Sequence, residues 1–132
     1  MAHFMVLVFV EARATDPGAV AEEAMMPYFE SRTDGFVIGG RYDGVVKGQE
    51  QEFNLPPAEF QRRYGLDVVR PENNIVPVTA LPRTVVPLAV VTPDGVWHEW
   101  GDDQEEDAWA AEFRKLAAAH QDALAVAIDC HC

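Results

Sequence analysis

The last ten residues, Ala123 to Cys132, constrain the fold most. They read Ala-Leu-Ala-Val-Ala-Ile-Asp-Cys-His-Cys, without Gly or Pro, and alternate with period two. A short apolar run of this kind is a buried strand. Leu124, Val126, Ile128, Cys130 and Cys132 fall on one face, and Ala123, Ala125, Ala127, Asp129 and His131 on the other. The first face carries core-sized side chains. The second carries small ones, so another layer must approach it closely, and it ends in a carboxylate two residues from an imidazole. Phe4 to Val10 is a second strand, with Phe4, Val6, Val8 and Val10 on one face and Met5, Leu7 and Phe9 on the other. Being apolar on both faces, it belongs inside its sheet with a cover on each side.

Between these strands the chain is punctuated. Asp16-Pro17 starts a helix, with Asp16 as N-cap and Pro17 in the first turn. Val20, Ala24 and Met25 recur at helical spacing, and Pro27 should kink or end the helix near Met26. Phe36 to Lys47 reads as extended, but Gly39, Gly40 and Gly44 remove side chains from it, so a bulge or a closely approaching group is expected there. Arg41 and Asp43 are the polar residues left in that gap. Residues 48–82 read as an insertion packed over one sheet face, with a short helix from Pro56 to Tyr64 that Gly65 can end. Val85–Thr92 and Val96–Trp100 form a hairpin through Thr92-Pro93-Asp94-Gly95. A helix follows the acidic run Asp102–Asp107 and extends to about His120, with Trp109, Phe113, Leu116, Ala117 and His120 as its core stripe. The acidic run itself reads as a solvated helix start.

A chain of 132 residues, 48% of them hydrophobic, fits a single α+β domain with a core of its own. Its formal charge of −12 and the lack of any Lys/Arg cluster argue against nucleic acid as a ligand. No apolar run approaches a membrane span, and Met1–Val10 lacks the basic start and cleavage site of a signal peptide. Cys130 and Cys132 are too close on one strand to staple the fold, so a reduced, cytoplasmic protein is expected. The order strand, helix, strand, insertion, hairpin, helix, strand suggests a ferredoxin-like sheet with two helices on one face. The doubly apolar first strand and the alanine face of the last one lead us to expect a homodimer packed sheet to sheet, with the insertion as the alternative cover for the other face.

Three stretches, Phe36-Val-Ile-Gly-Gly-Arg-Tyr-Asp-Gly44, Pro93-Asp-Gly-Val-Trp-His-Glu-Trp-Gly101 and Ala127-Ile-Asp-Cys-His131, resemble a family of small uncharacterised proteins of actinobacteria and their phages. Many of those proteins carry a Cys-rich, zinc-knuckle-like insert before the Gly-Gly-Arg segment. Here Ser31-Arg-Thr-Asp-Gly35 stands in that place without cysteine, so no such zinc site is carried over. The family implies no activity. It singles out Gly39, Gly40, Arg41, His98, Asp129 and His131 as a group to test together.

An Asp–His pair is the minimum for acid–base catalysis, because the carboxylate orients the ring and raises its basicity. Asp129 and His131 are the candidates, with His98 as a second proton relay. Arg41, Asp43, Gly39 and Gly40 would form the substrate-binding part, Arg41 receiving an anion through a bidentate contact. His98, Asp129 and His131 also make a three-ligand metal set on paper, but no spacing supports it and no metal is assigned. No motif names a cofactor. Two readings follow. In one, a small anionic molecule occupies a cleft lined by Arg41, His98, Asp129 and His131. In the other, the protein is a non-catalytic, phage-derived module whose acidic surface engages a basic host protein.

Overall fold

A computed structural model describes residues 3–49 and 71–132. The expected helix over Pro56–Tyr64 lies outside the described residues. In chain order the elements are β1 (His3–Glu11), α1 (Pro17–Met25), β2 (Gly35–Ile38), β3 (Ile75–Pro77), β4 (Ala89–Val91), β5 (Trp97–Glu99), α2 (Glu106–Ala119) and β6 (Ala123–His131), with short 3₁₀ turns between them. The fold is α+β around one mixed six-stranded sheet.

The two strands that the alternation singles out are the middle of that sheet. β1 and β6 pair antiparallel over their full length, from His3 opposite His131 to Glu11 opposite Ala123. The sheet order is β2-β6-β1-β4-β5, and β3 joins the outer edge of β6 beyond β2. β4 runs parallel to β1, and β5 returns antiparallel to β4.

Both faces of the central strands are covered from within the chain. Val6, Val8 and Val10 pack with Val126, Ile128 and Cys130 against Ala21 and Met25 of α1. Met5, Leu7 and Phe9 pack with Ala123, Ala125 and Ala127 against Trp109 and Phe113 of α2. The small face of β6 therefore receives Trp109, which is fully buried and donates its indole N–H to the Pro87 carbonyl at 2.7 Å. This packing is the close approach of another layer that the alanine face calls for. It also gives β1 both of its covers without a second subunit.

The helices thus lie on opposite faces, not together on one, and the strand order departs from the ferredoxin-like plan. The cause is the placement of the hairpin. The β1-α1-β2 connection crosses β6, and the β5-α2-β6 connection crosses β4 and β1 in the same direction. Strands β1 and β5 point opposite ways. Two crossovers of the same hand that travel the same way between oppositely directed strands fall on opposite faces. A ferredoxin-like hairpin would make the second crossover travel back, and both helices would share a face.

Local expectations hold where a cap or turn residue dictates them. Asp16 accepts from the Ala19 N–H at 3.1 Å, and α1 stops before Pro27. The buried stripe of α1 is Gly18, Ala21 and Met25, while Val20 is exposed. In the hairpin, Gly95 takes a positive φ of 83° and its N–H returns to the Thr92 carbonyl at 2.8 Å. Only Ala89–Val91 and Trp97–Glu99 are strand, because Pro87 interrupts the run before β4. In the insertion, Ile75–Pro77 adds a strand, and Val76 and Val78 join the α2-side core together with Val85 beyond it.

Candidate functional site

Phe36–Lys47 is not one extended strand. β2 ends at Ile38, and Gly39 and Gly40 take positive φ values of 77° and 52°, turning the chain into a 3₁₀ turn over Gly40–Tyr42. The reason is what lies against them. A Cβ on Gly39 would collide with the Asn74 side chain, and one on Gly40 with the Asp129 carboxylate. These glycines admit two internal polar groups.

Asn74 is completely buried and closes the gap between β2 and β3 on the edge of β6. Its amide donates to Asp43 Oδ1 at 2.8 Å, its Oδ1 accepts from the Gly44 N–H at 3.1 Å, and its carbonyl accepts from the Ala127 N–H at 2.9 Å. Asp43 therefore holds a loop together. It does not share a strand face with Arg41.

Asp129 breaks the alanine pattern of β6 at a position that is 4% exposed. A buried carboxylate is costly without donors, and two are supplied. Oδ2 accepts from the Arg41 backbone N–H at 2.9 Å, and Oδ1 lies 2.7 Å from His3 Nδ1. Because an ionised carboxylate only accepts, Nδ1 of His3 is the donor in this contact, and Nε2 is the ring nitrogen left to face away from Asp129. His3 reaches Asp129 diagonally across the β1–β6 ladder, since its direct partner is His131. The two imidazoles stand 5.5 Å apart. His131 Nδ1 is buried and has no hydrogen-bond partner among the described residues.

His3 and Tyr42 line a cleft of about 400 Å³ whose other walls include Val45, Val86, Leu88 and Trp100. The Tyr42 hydroxyl is pushed up to about 12, by burial first and then by the negative charge of Asp129, while Arg41 opposes the shift. Tyr42 thus remains a neutral hydroxyl at physiological pH, with the Arg41 cation near enough to act on it. On the opposite face of β6, burial raises the Cys130 thiol to about 12, and Asp129 adds to this. Cys130 is a buried thiol that stays protonated at physiological pH.

The structure therefore joins Asp129, His131 and the Arg41 backbone, and adds His3 and Tyr42, which the sequence reading omits. His98 does not join them. It sits on edge strand β5 opposite Val90, with its Nε2 3.2 Å from Thr92 Oγ1. Strands β4 and β1 intervene before β6, which puts it about 14 Å away at the usual strand spacing. No three-ligand metal cluster occurs among the described residues, so the His98–Asp129–His131 set is not assembled.

No helix among the described residues is long and apolar enough to cross a membrane. No family model, curated protein or solved structure shows a significant match to the chain.

Proposed function

We propose that this protein binds a small anionic molecule in the cleft beside His3, Tyr42 and Trp100, and that His3, held by Asp129, serves it as general base and acid. One observation carries the reading. A nearly inaccessible carboxylate is placed on two donors, one of which is a half-buried imidazole at the mouth of a cleft. That arrangement fixes the ring's tautomer and leaves Nε2 as the acceptor, which is what a general base needs. Tyr42, held neutral, supplies a hydrogen-bond donor, and the neighbouring Arg41 supplies the positive charge that favours an anion. The roles first given to His98 and His131 pass to His3, with the tilted His131 ring as its neighbour.

The competing reading, an acidic module for a basic protein partner, has the exposed residues Asp102, Asp103, Glu105, Glu106 and Asp107 in its favour. None of those residues is a partner in the hydrogen bonds of the His3–Asp129 pair, and they give that pair no task.

The test is a titration of ¹⁵N-histidine-labelled protein with panels of small carboxylates and phosphates, following the His3 ring nitrogens and the Trp100 indole. At least one anion should move both, and His3→Gln should abolish the effect on Trp100. A panel that leaves His3 and Trp100 unmoved, or that acts equally on His3→Gln, sinks the proposal.

A further inference from the structure

A second hollow, of about 510 Å³, lies between the segment after β3 and the outer turns of α2. It shares Val85 with the His3 cleft and no polar residue. Val78, Leu81, Val85 and Phe113 make an apolar floor, and Arg83 and Arg114 stand at its rim.

The two arginines are unusual for this chain. With 22 acidic residues against 10 basic ones, a surface guanidinium has many carboxylates within reach. Arg13 takes Glu11 and Arg32 takes Glu99. Arg83 and Arg114 form no ion pair or hydrogen bond among the described residues. On α2, the positions three and four residues from Arg114 are Ala110, Ala111, Ala117 and Ala118, so no intrahelical carboxylate can neutralise it. The hollow is within the size range of small-ligand sites, and such sites combine an apolar lining with a few placed polar groups.

We propose that this hollow binds an amphipathic monoanion, an acyl carboxylate, with its carboxylate across Arg83 and Arg114 and its chain on the Phe113 floor. Guanidinium groups match carboxylates geometrically, and their stems tolerate apolar neighbours. The net charge of −12 repels anions at a distance, so a carboxylate without an apolar body gains too little to stay. The site therefore selects for both parts of the ligand at once, and it does so independently of the His3 cleft.

Isothermal titration of the full chain with decanoate, below its micelle threshold, tests this, with acetate and decanol as comparison ligands. Decanoate should bind saturably, acetate should not, and decanol should bind more weakly than decanoate. Exchanging both arginines, Arg83→Gln with Arg114→Gln, should weaken decanoate at least about tenfold, since two charge-assisted hydrogen bonds are lost. Lys115→Gln, an equal change of charge per residue outside the hollow, should leave it unchanged, as should His3→Gln. The proposal is overturned if wild type fails to bind decanoate at millimolar concentration, if the double variant binds it as wild type does, or if decanol binds as tightly. Loss of decanoate binding in His3→Gln would overturn it too, by moving the ligand to the other cleft.

Discussion

Replacing Asp129 by Asn tests the site at its centre. The carboxylate accepts from the Arg41 N–H at 2.9 Å and from His3 Nδ1 at 2.7 Å, in a position 4% exposed. Asparagine has the same shape but only one acceptor oxygen. If that oxygen keeps the Arg41 N–H, the amide NH₂ faces His3, whose Nδ1 must then become the acceptor. The ring proton moves to Nε2, and the lone pair needed for base chemistry is lost from the cleft side. A hydrogen bond to a charged group contributes about 1.5–3 kcal/mol and a neutral one about 0.5–1.5, so two such bonds should lose about 2–3 kcal/mol together. For a domain of this length that lowers Tm by about 7–11 °C. Urea unfolding gives the stability, and long-range ¹H–¹⁵N correlation of the His3 ring gives the tautomer. Wild type should show a protonated Nδ1 and Asp129→Asn a protonated Nε2. If the tautomer is the same in both, or the variant is as stable as wild type, Asp129 does not orient His3.

Further outcomes follow from the same packing. Trp109→Ala should cost about 3–5 kcal/mol by urea melting, because it empties the contact between α2 and the alanine face of β6 and strands the Pro87 carbonyl; a loss under about 1 kcal/mol would show that α2 is not docked there. Gly40→Ala should cost about 3 kcal/mol or more, from its φ of 52° and the collision with Asp129, whereas Gly48→Ala, with φ 85° and open space around it, should cost only about 1–2. Equal losses would remove Asp129 from the argument. Stability should also fall at alkaline pH. Cys130 and Tyr42 have pKa values raised in the folded chain, from 9.0 and 10.0 to about 12, so the folded state holds protons that the unfolded state releases. The contribution is complete below about pH 9 and is lost as pH rises towards 12; under reducing conditions, Cys130→Ala should flatten the first part of that decline, and an unchanged profile would contradict the assignment.

Much of the fold is written in alternation and punctuation. The two faces of β1 and β6, the N-cap at Asp16, the stop before Pro27 and the Gly95 turn follow from local residue chemistry, and each appears where it is expected. The strand order was also there to be read. Ala89-Val90-Val91 is apolar and fully buried, while Trp97-His98-Glu99 is partly polar and half exposed, so β4 belongs inside the sheet and β5 at its edge. Weighing those two halves of the hairpin against each other places β4 beside β1, and right-handed crossovers then put the helices on opposite faces. Gly39 and Gly40 were harder, because an apolar run hides a change in the sign of φ. Their cause is Asn74 and Asp129, groups 35 and 89 residues further along in the chain; the glycines announce a close approach but not which groups make it.

The site was half legible for a related reason. Asp129 stands out because the three positions before it on that face of β6 are alanines, and a buried carboxylate where alanine would pack needs donors. A strand begun at Phe4 leaves out His3 by one residue, and its role depends on the register that sets His3 opposite His131. A one-residue slip would turn His3 to the α1 face and leave Asp129 with the Arg41 N–H alone. The full-length β1–β6 ladder is what prevents that slip, since it would also expose Leu7 and Phe9 to the wrong layer. The core packing of the two central strands thus fixes the geometry of the imidazole and its carboxylate.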